Sequence, residues 1–303
     1  MIARGALPAP AVLDGGLSTA LQAHGHDLDH DLWTARLLHD EPEAIVEAHL
    51  AYLRAGARII ITSSYQASID GFVRHGHTRR EARELIRRTT ELAVEARRRH
   101  GDPSVLIAAS VGPYGAVLAD GSEYSGEYGL LRDELSAFHR ERLAVLVGTG
   151  PDLLACETIP SAFEAGVLVD ALAAWPDAST WMTFTCRDDA MTASGDRIEA
   201  AVAVAVSSPQ VVAVGVNCTA PQHVEGLLQR IVCVTDRPFV VYPNSGQTWE
   251  PARNRWVGAP IDITAGGQVE RWRALGATLI GGCCGVGPEA IAALAGTVSS
   301  PRR

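Results

Sequence analysis

Apolar positions along this chain follow two alternating patterns. Short runs that are apolar at nearly every position are separated by longer stretches that are apolar at every third or fourth position. The runs cover Val12-Leu13-Asp14 and residues 58–62, 105–111, 153–158, 181–186, 211–218, 239–242 and 277–282. Continuous apolar runs predict parallel strands buried on both faces, because a strand with one wet face would alternate. The intervening stretches predict helices over residues 43–55, 80–100, 132–147, 162–174, 198–206, 222–234, 268–275 and 288–294. In the first of these, Ile45, Val46, His49, Leu50 and Leu53 fall on one side, with Pro42 before it and Gly56 after it. Eight strands, each followed by a helix, predict one α/β domain, a (β/α)₈ TIM barrel over residues 1–303. A doubly wound open sheet is the competing arrangement, but Gly15-Gly16-Leu17-Ser18 after the first strand is not G-x-G-x-x-G.

A barrel of this kind carries its active site where the strands end, at the C-terminal face. The residues expected there are Asp14, Gly15 and Gly16, then Ser63 and Ser64, Ser110 and Gly112, Glu157, Cys186, Cys218, Asn244, and Cys283 with Cys284. Three thiols and two carboxylates therefore converge on one face.

The overall charge narrows the partners. A net charge of −9 argues against broad contact with nucleic acid or anionic membranes. The one dense basic run, Arg97-Arg98-Arg99, ends a predicted helix, where cations complement the dipole. No secretory signal is visible, and no apolar stretch approaches the ~20 residues that span a bilayer. The expectation is a cytoplasmic monomer or homodimer that acts on small molecules and keeps its thiols reduced. Its six cysteines then point to metal binding, catalysis or packing.

Gly281-Gly282-Cys283-Cys284-Gly285 is the most informative stretch. In a regular strand adjacent cysteines point to opposite faces. Both can reach one metal only if the strand breaks, which the flanking glycines allow. Cys218 ends the strand two before it. Three thiolates without zinc-finger spacing suit an open Zn²⁺ site. A fourth thiolate from a substrate would leave zinc electron-rich, a poor Lewis acid for carbonyls but a good holder of a nucleophilic sulfur. The competing readings are three buried small hydrophobes, a thiol-rich structural zinc site, or a redox sensor whose vicinal pair oxidises.

Asp14 and Glu157 each end an apolar strand, where a charge is costly without a partner. Together they can grip a substrate ammonium; strand-end caps or internal ion pairs are the alternatives. Residues 110–128 form a long loop with Tyr114, Asp120, Glu123, Tyr124 and Tyr128, able to close over a cation. His24-Gly25-His26 with His30 is a weak metal candidate, and His75-Gly76-His77 is expected at the surface. Cys156 is expected to pack inside its strand, Cys186 to line the pocket without binding metal, and Cys233 to sit in the core or at the surface.

Taken together, Asp14-Gly15-Gly16, Ser110 to Pro113, Cys156-Glu157-Thr158, Gly215 to Cys218 and Gly281 to Cys284 resemble the homocysteine S-methyltransferase family. The resemblance runs from about Val12 to Leu294. Residues 110–128 and Val241-Tyr242-Pro243-Asn244-Ser245-Gly246 are most similar to the branch that uses S-methylmethionine, although Gln22 stands where an acidic residue is common. The resemblance implies a catalytic zinc held by Cys218, Cys283 and Cys284. It implies that Asp14 and Glu157 bind the homocysteine amino group, with Asn217 supporting metal or substrate and Gly15 and Ser110 at the substrate. It further implies methyl transfer from a sulfonium, S-methylmethionine or S-adenosylmethionine, to the homocysteine thiolate, giving methionine; a selenol is a further possible acceptor.

Overall fold

The computed structural model describes Met1, Leu7, residues 10–26, Leu28, residues 33–250 and residues 255–298. Eight parallel strands make one sheet: β1 (Ala11–Val12), β2 (Ile59–Ile61), β3 (Leu106–Val111), β4 (Leu153–Ile159), β5 (Thr180–Phe184), β6 (Val211–Asn217), β7 (Phe239–Tyr242) and β10 (Ala277–Ile280). β8 (Thr248–Glu250) and β9 (Arg255–Val257) form a separate antiparallel pair in the connection between β7 and β10. The sheet runs β1-β10-β7-β6-β5-β4-β3-β2, and a parallel bridge between Leu13 and Ile59 joins its two ends. Arg58 N–H donates to the Val12 carbonyl at 2.8 Å and Asp14 N–H to the Ile59 carbonyl at 3.1 Å, so the seam is hydrogen-bonded. The expected barrel is closed.

The helices Pro42–Arg54, Arg79–His100, Arg132–Gly148, Ala162–Leu172, Ile198–Val206, Pro221–Ile231, Gln268–Ala274 and Pro288–Val298 match the predicted set within about one turn. Local chemistry sets several of their starts. Thr78 and Glu81 form a capping box at Arg79–His100, and the Ser161 hydroxyl accepts from Glu164 N–H at Ala162–Leu172. At the far end of Arg79–His100 the three arginines meet acids: Arg97 with Asp152, Arg98 with Glu95, and Arg99 with Glu43. The basic run is a paired helix end.

Side-chain alternation explains both the uniform runs and the position of the site. One set of strand residues, including Leu13, Ile59, Leu153, Trp181, Val240 and Leu279, fills the barrel interior. The opposite set packs against the helices. Both faces are dry, so the sequence shows no alternation. Ala108, Ala155 and Ala213 leave the interior room for Trp181, which is fully buried. Two residues beyond an inward-facing apolar residue, the same parity brings Ser110, Glu157, Thr183 and Tyr242 inward, and four beyond Ala213 it brings Asn217. The top layer of the core is therefore polar.

Strand ends are shorter than predicted where side chains replace the ladder. Cys218 takes φ = +47°, which stops β6 at Asn217. Cys186 N–H donates to the Thr219 hydroxyl rather than to a neighbouring strand, which leaves β5 ending at Phe184. The short helices Trp33–Asp40, Ile69–Arg74 and Gly115–Leu118 lie in loops for which the apolar pattern predicts no element.

One core residue carries a pH dependence. His49, on Pro42–Arg54, is fully buried, neither ring nitrogen has a partner among the described residues, and burial lowers its pKa to about 4. The unfolded chain takes up this proton near pH 6.5 and the folded chain only near pH 4. The neutral ring's contribution is therefore complete above about pH 6.5 and is lost as pH falls towards 4. Denaturant titrations of the wild type and His49→Leu at pH 7 and pH 5 should show a smaller acid loss in the variant. Equal losses would mean that His49 is not the acid-sensitive group.

Candidate active site

Three sulfurs meet at the C-terminal face. Cys218 Sγ lies 2.6 Å from Cys283 Sγ and 3.7 Å from Cys284 Sγ, and the two vicinal sulfurs are 3.9 Å apart. All are free thiols. After β10 the chain leaves the strand: Cys283 N–H donates to the Pro243 carbonyl, and Val286 N–H returns to the Cys283 carbonyl at 3.0 Å. This turn brings both vicinal sulfurs to the same side. It needs glycine at Gly281, where a Cβ would stand 2.6 Å from Leu13 Cβ. The thiols share their charge unequally. Hydrogen bonds from Cys218 and Cys283 pull the Cys284 pKa well below the usual thiol range, whereas its bonds to the other two sulfurs push Cys283 well above it.

Three carboxylates line the same cavity as the three thiols: Glu157 and Asp14, both buried, and Glu123 from the long loop. Glu157 accepts from the Ser110 hydroxyl and, at 3.0 Å, from Tyr242 Oη. Burial raises its pKa to about 7, against those two bonds, which favour the charged form. The Asp14 carboxylate accepts one bond, from Ile61 N–H at 2.8 Å, while its Oδ1 is buried without a partner among the described residues. Burial pushes it well above the ordinary carboxylate range; the Ile61 bond opposes this, and the Glu157 charge adds to it. The cavity wall contains no Lys, Arg or His among the described residues. Such a wall can accept a cation.

The remaining expected residues support that wall. Gly15 lines the cavity, and a Cβ there would meet the Val286 carbonyl oxygen at 2.3 Å, so the β1 loop and the thiol turn touch only because it is glycine. Ser110 and Asn217 are fully buried. Asn217 Oδ1 accepts from Thr158 N–H at 2.7 Å and from the Thr183 hydroxyl, and its Nδ2 donates to Thr158 Oγ1. It thereby pins Thr158, whose φ is +59°, immediately after Glu157. Asn244 Nδ2 donates to the Cys218 carbonyl at 3.2 Å and so fixes the other unusual turn.

Other cavity-lining positions are missing from the expected strand-end set. Tyr65, Glu123, Tyr124 and Tyr242 line the cavity. Arg142 is buried on Arg132–Gly148 and donates to the carbonyls of Ser64, Tyr65 and Gly112, tying the β2 and β3 loops together. Glu164 accepts from Tyr114 N–H, Tyr128 Oη and His139 Nε2, fastening both ends of the long loop. In the sequence, Arg142 shows as a cation on the buried face of its helix, three residues after His139 and four before Leu146. Tyr242 shows as the residue two beyond the inward-facing Val240.

The family model for homocysteine S-methyltransferases matches residues 11–298. The chain belongs to the homocysteine S-methyltransferase family. Membership makes it a methyltransferase. Homocysteine S-methyltransferase 4 of Zea mays is 49% identical, over 95% of this chain and 89% of that protein. A selenocysteine Se-methyltransferase of Brassica oleracea var. italica is 42% identical, over 94% of this chain and 87% of its own length. The metallated form of the homocysteine methyltransferase MmuM from Escherichia coli superposes with a TM-score of 0.86 at 41% identity, covering 96% of each chain.

One relative has a metallated form, and the spacing of the three thiols here is close to that of a metal's ligands. Four sulfurs about 2.3 Å from a tetrahedral zinc lie about 3.8 Å apart. The Cys218–Cys284 and Cys283–Cys284 separations, 3.7 and 3.9 Å, match that edge; the Cys218–Cys283 pair would open by about 1 Å. Among the described residues no fourth Cys, His, Asp or Glu joins the cluster. The donor set fits a metal with one position left for a ligand.

The weaker candidates lie elsewhere. His24 Nδ1 bonds to the Ala20 carbonyl and His26 pairs with Glu41, while His30 is outside the described residues. His75 closes the helix Ile69–Arg74 through the Gly71 carbonyl. Cys156 is packed inside β4, Cys233 is exposed, and Cys186 packs in the outer core rather than against the cavity. No helix among the described residues is long and apolar enough to cross a membrane.

Proposed function

We propose that this chain is a zinc-dependent homocysteine S-methyltransferase that takes its methyl group from S-methylmethionine. The observation that carries the reading is three sulfurs converging beside two buried carboxylates in a cavity without a basic side chain. Cys218, Cys283 and Cys284 would hold the zinc. When bound, zinc would keep the homocysteine sulfur as a thiolate at neutral pH and fix its direction.

The protein's own groups supply the remaining requirements. Asp14 Oδ1, buried without a partner, and Glu157 offer the homocysteine ammonium two acceptors. That cation would offset the burial that raises both carboxyls. Ser110 and Tyr242 fix the orientation of Glu157, and Asn217 fixes the turn beside it. The acceptor sulfur attacks the donor methyl carbon, the bond from that carbon to the donor sulfur breaks, and the electron pair leaves on the donor sulfur. One anion and one cation become two neutral thioethers, a change that a water-poor pocket favours. Alignment of the two sulfurs and the methyl carbon is the main source of rate.

The test is metal analysis of the purified protein before and after chelation, followed by turnover with homocysteine and either S-methylmethionine or S-adenosylmethionine. The reading expects about one zinc per three-cysteine site, loss of turnover on chelation, recovery on zinc addition, and the higher kcat/KM with S-methylmethionine. Absence of methionine formation by the zinc-loaded enzyme with either donor would overturn it.

A further inference from the structure

One carboxylate in the cavity is not used by the acceptor. Glu123 lies in the one-turn helix Ser122–Tyr124, on the long loop that follows β3. It lines the cavity with Tyr65 and Tyr124, and its Oε2 is buried with no hydrogen-bond partner among the described residues. Ser63, itself 3% exposed, also has an unpartnered hydroxyl and borders the same space. Tyr124 Oη stands 3.9 Å from Cys218 Sγ, so this wall faces the thiols directly. The loop is held from both ends by Glu164 through Tyr114 and Tyr128. Asp14 and Glu157 stand instead at the ends of β1 and β4.

We propose that Glu123, which shares the cavity wall with Tyr65 and Tyr124, is the specificity-determining residue for the cationic methyl donor and acts by binding the sulfonium before transfer. This rests on the methyl-transfer reading above. A carboxylate beside two aromatic rings is a site for a soft, weakly hydrated cation such as a sulfonium. An unpartnered buried acceptor oxygen is costly, and a cation next to it removes that cost.

The sign of the kinetic effect follows from the charge change. The donor sulfur is fully cationic before transfer, partly cationic at the transition state and neutral afterwards. Attraction to Glu123 is therefore strongest in the ground state. Such an interaction tightens donor binding without raising the rate of the bound complex, and it weakens as the thioether product forms. Glu123 favours capture of the donor and release of the product.

Glu123→Gln and Glu123→Asp, both zinc-loaded, test this with S-methylmethionine as donor. For Glu123→Gln the donor KM should rise about tenfold or more, the scale of one lost charge-assisted contact, while kcat stays unchanged or increases. Homocysteine KM and zinc content should stay within about twofold, and Glu123→Asp, which keeps the charge, should recover most of the donor affinity. An unchanged donor KM, a fall confined to kcat, a rise in homocysteine KM, or equal donor-binding losses in the two variants would each overturn the proposal. Inactivity of the wild type with both donors would instead sink the methyl-transfer reading itself, so the two failures are separable.

Discussion

Cys283→Ser is expected to purify without bound zinc and to lose methyl transfer by well over a hundredfold. The bound comes from outer-shell changes, which typically cost about 10–100-fold in metal affinity or activity; removing a sulfur that holds the metal costs more. Serine keeps the size of the side chain but is a poor metal ligand, because its hydroxyl is far less acidic than a thiol. Cys283 lies past the end of β10, half-buried at the edge of the barrel-interior cluster, and serine nearly keeps its volume, so the packed layers change little. The metal-free variant should therefore melt with metal-free wild type and give the same far-ultraviolet spectrum. Cys218→Ser should behave alike, since its sulfur approaches both vicinal thiols. Elemental analysis and a turnover assay read the result. Full activity in either variant would remove that cysteine from the ligand set.

Glu157→Gln has the next largest expected effect, and it acts on a different quantity. The variant keeps the size and inward direction of the side chain but loses the negative charge facing the acceptor's ammonium. Hydrogen bonds to charged groups contribute about 1.5–3 kcal/mol, so homocysteine KM should rise roughly ten- to a hundredfold. Zinc content should be unchanged. Stability should move the other way. Burial raises the folded pKa of Glu157 to about 7, above the unfolded carboxyl range near 4.5. Between those values the folded chain holds the proton and the unfolded chain does not, so wild-type stability falls as pH rises through that window. The variant lacks this loss. Its Tm relative to metal-free wild type should improve from pH 5 to pH 8. A homocysteine KM within twofold of wild type would place the ammonium elsewhere, and a Tm difference independent of pH would mean that the charge is not the cost.

Much of this architecture was legible in the residues, for identifiable reasons. Eight apolar runs implied eight doubly buried strands, and the barrel topology then placed Asp14, Glu157, Cys218, Cys283 and Cys284 on one face with no distance known. Strand ends are good addresses because the fold fixes their direction. Loop residues have no such address. Glu123 and Tyr124 reach the cavity on a loop that Glu164, on a helix well after them, fastens at Tyr114 and Tyr128. Asn217 shows a second limit. Its place at the end of β6 was readable, but its bonds to Thr158 and Thr183 depend on the register of three neighbouring strands. The strand ends were overextended for a similar reason: a run of apolar residues does not reveal the left-handed turn at Cys218 or the side-chain bond that replaces the ladder at Cys186.

The account depends on three cysteine sulfurs holding one zinc and leaving a place for the acceptor's sulfur. X-ray absorption at the zinc edge, on zinc-loaded protein with and without homocysteine, reads that arrangement directly. Three sulfur neighbours at about 2.3 Å are expected in the resting enzyme, and a fourth at the same distance once homocysteine is added. Zinc surrounded by nitrogen and oxygen, or a sulfur count that homocysteine leaves unchanged, would contradict it.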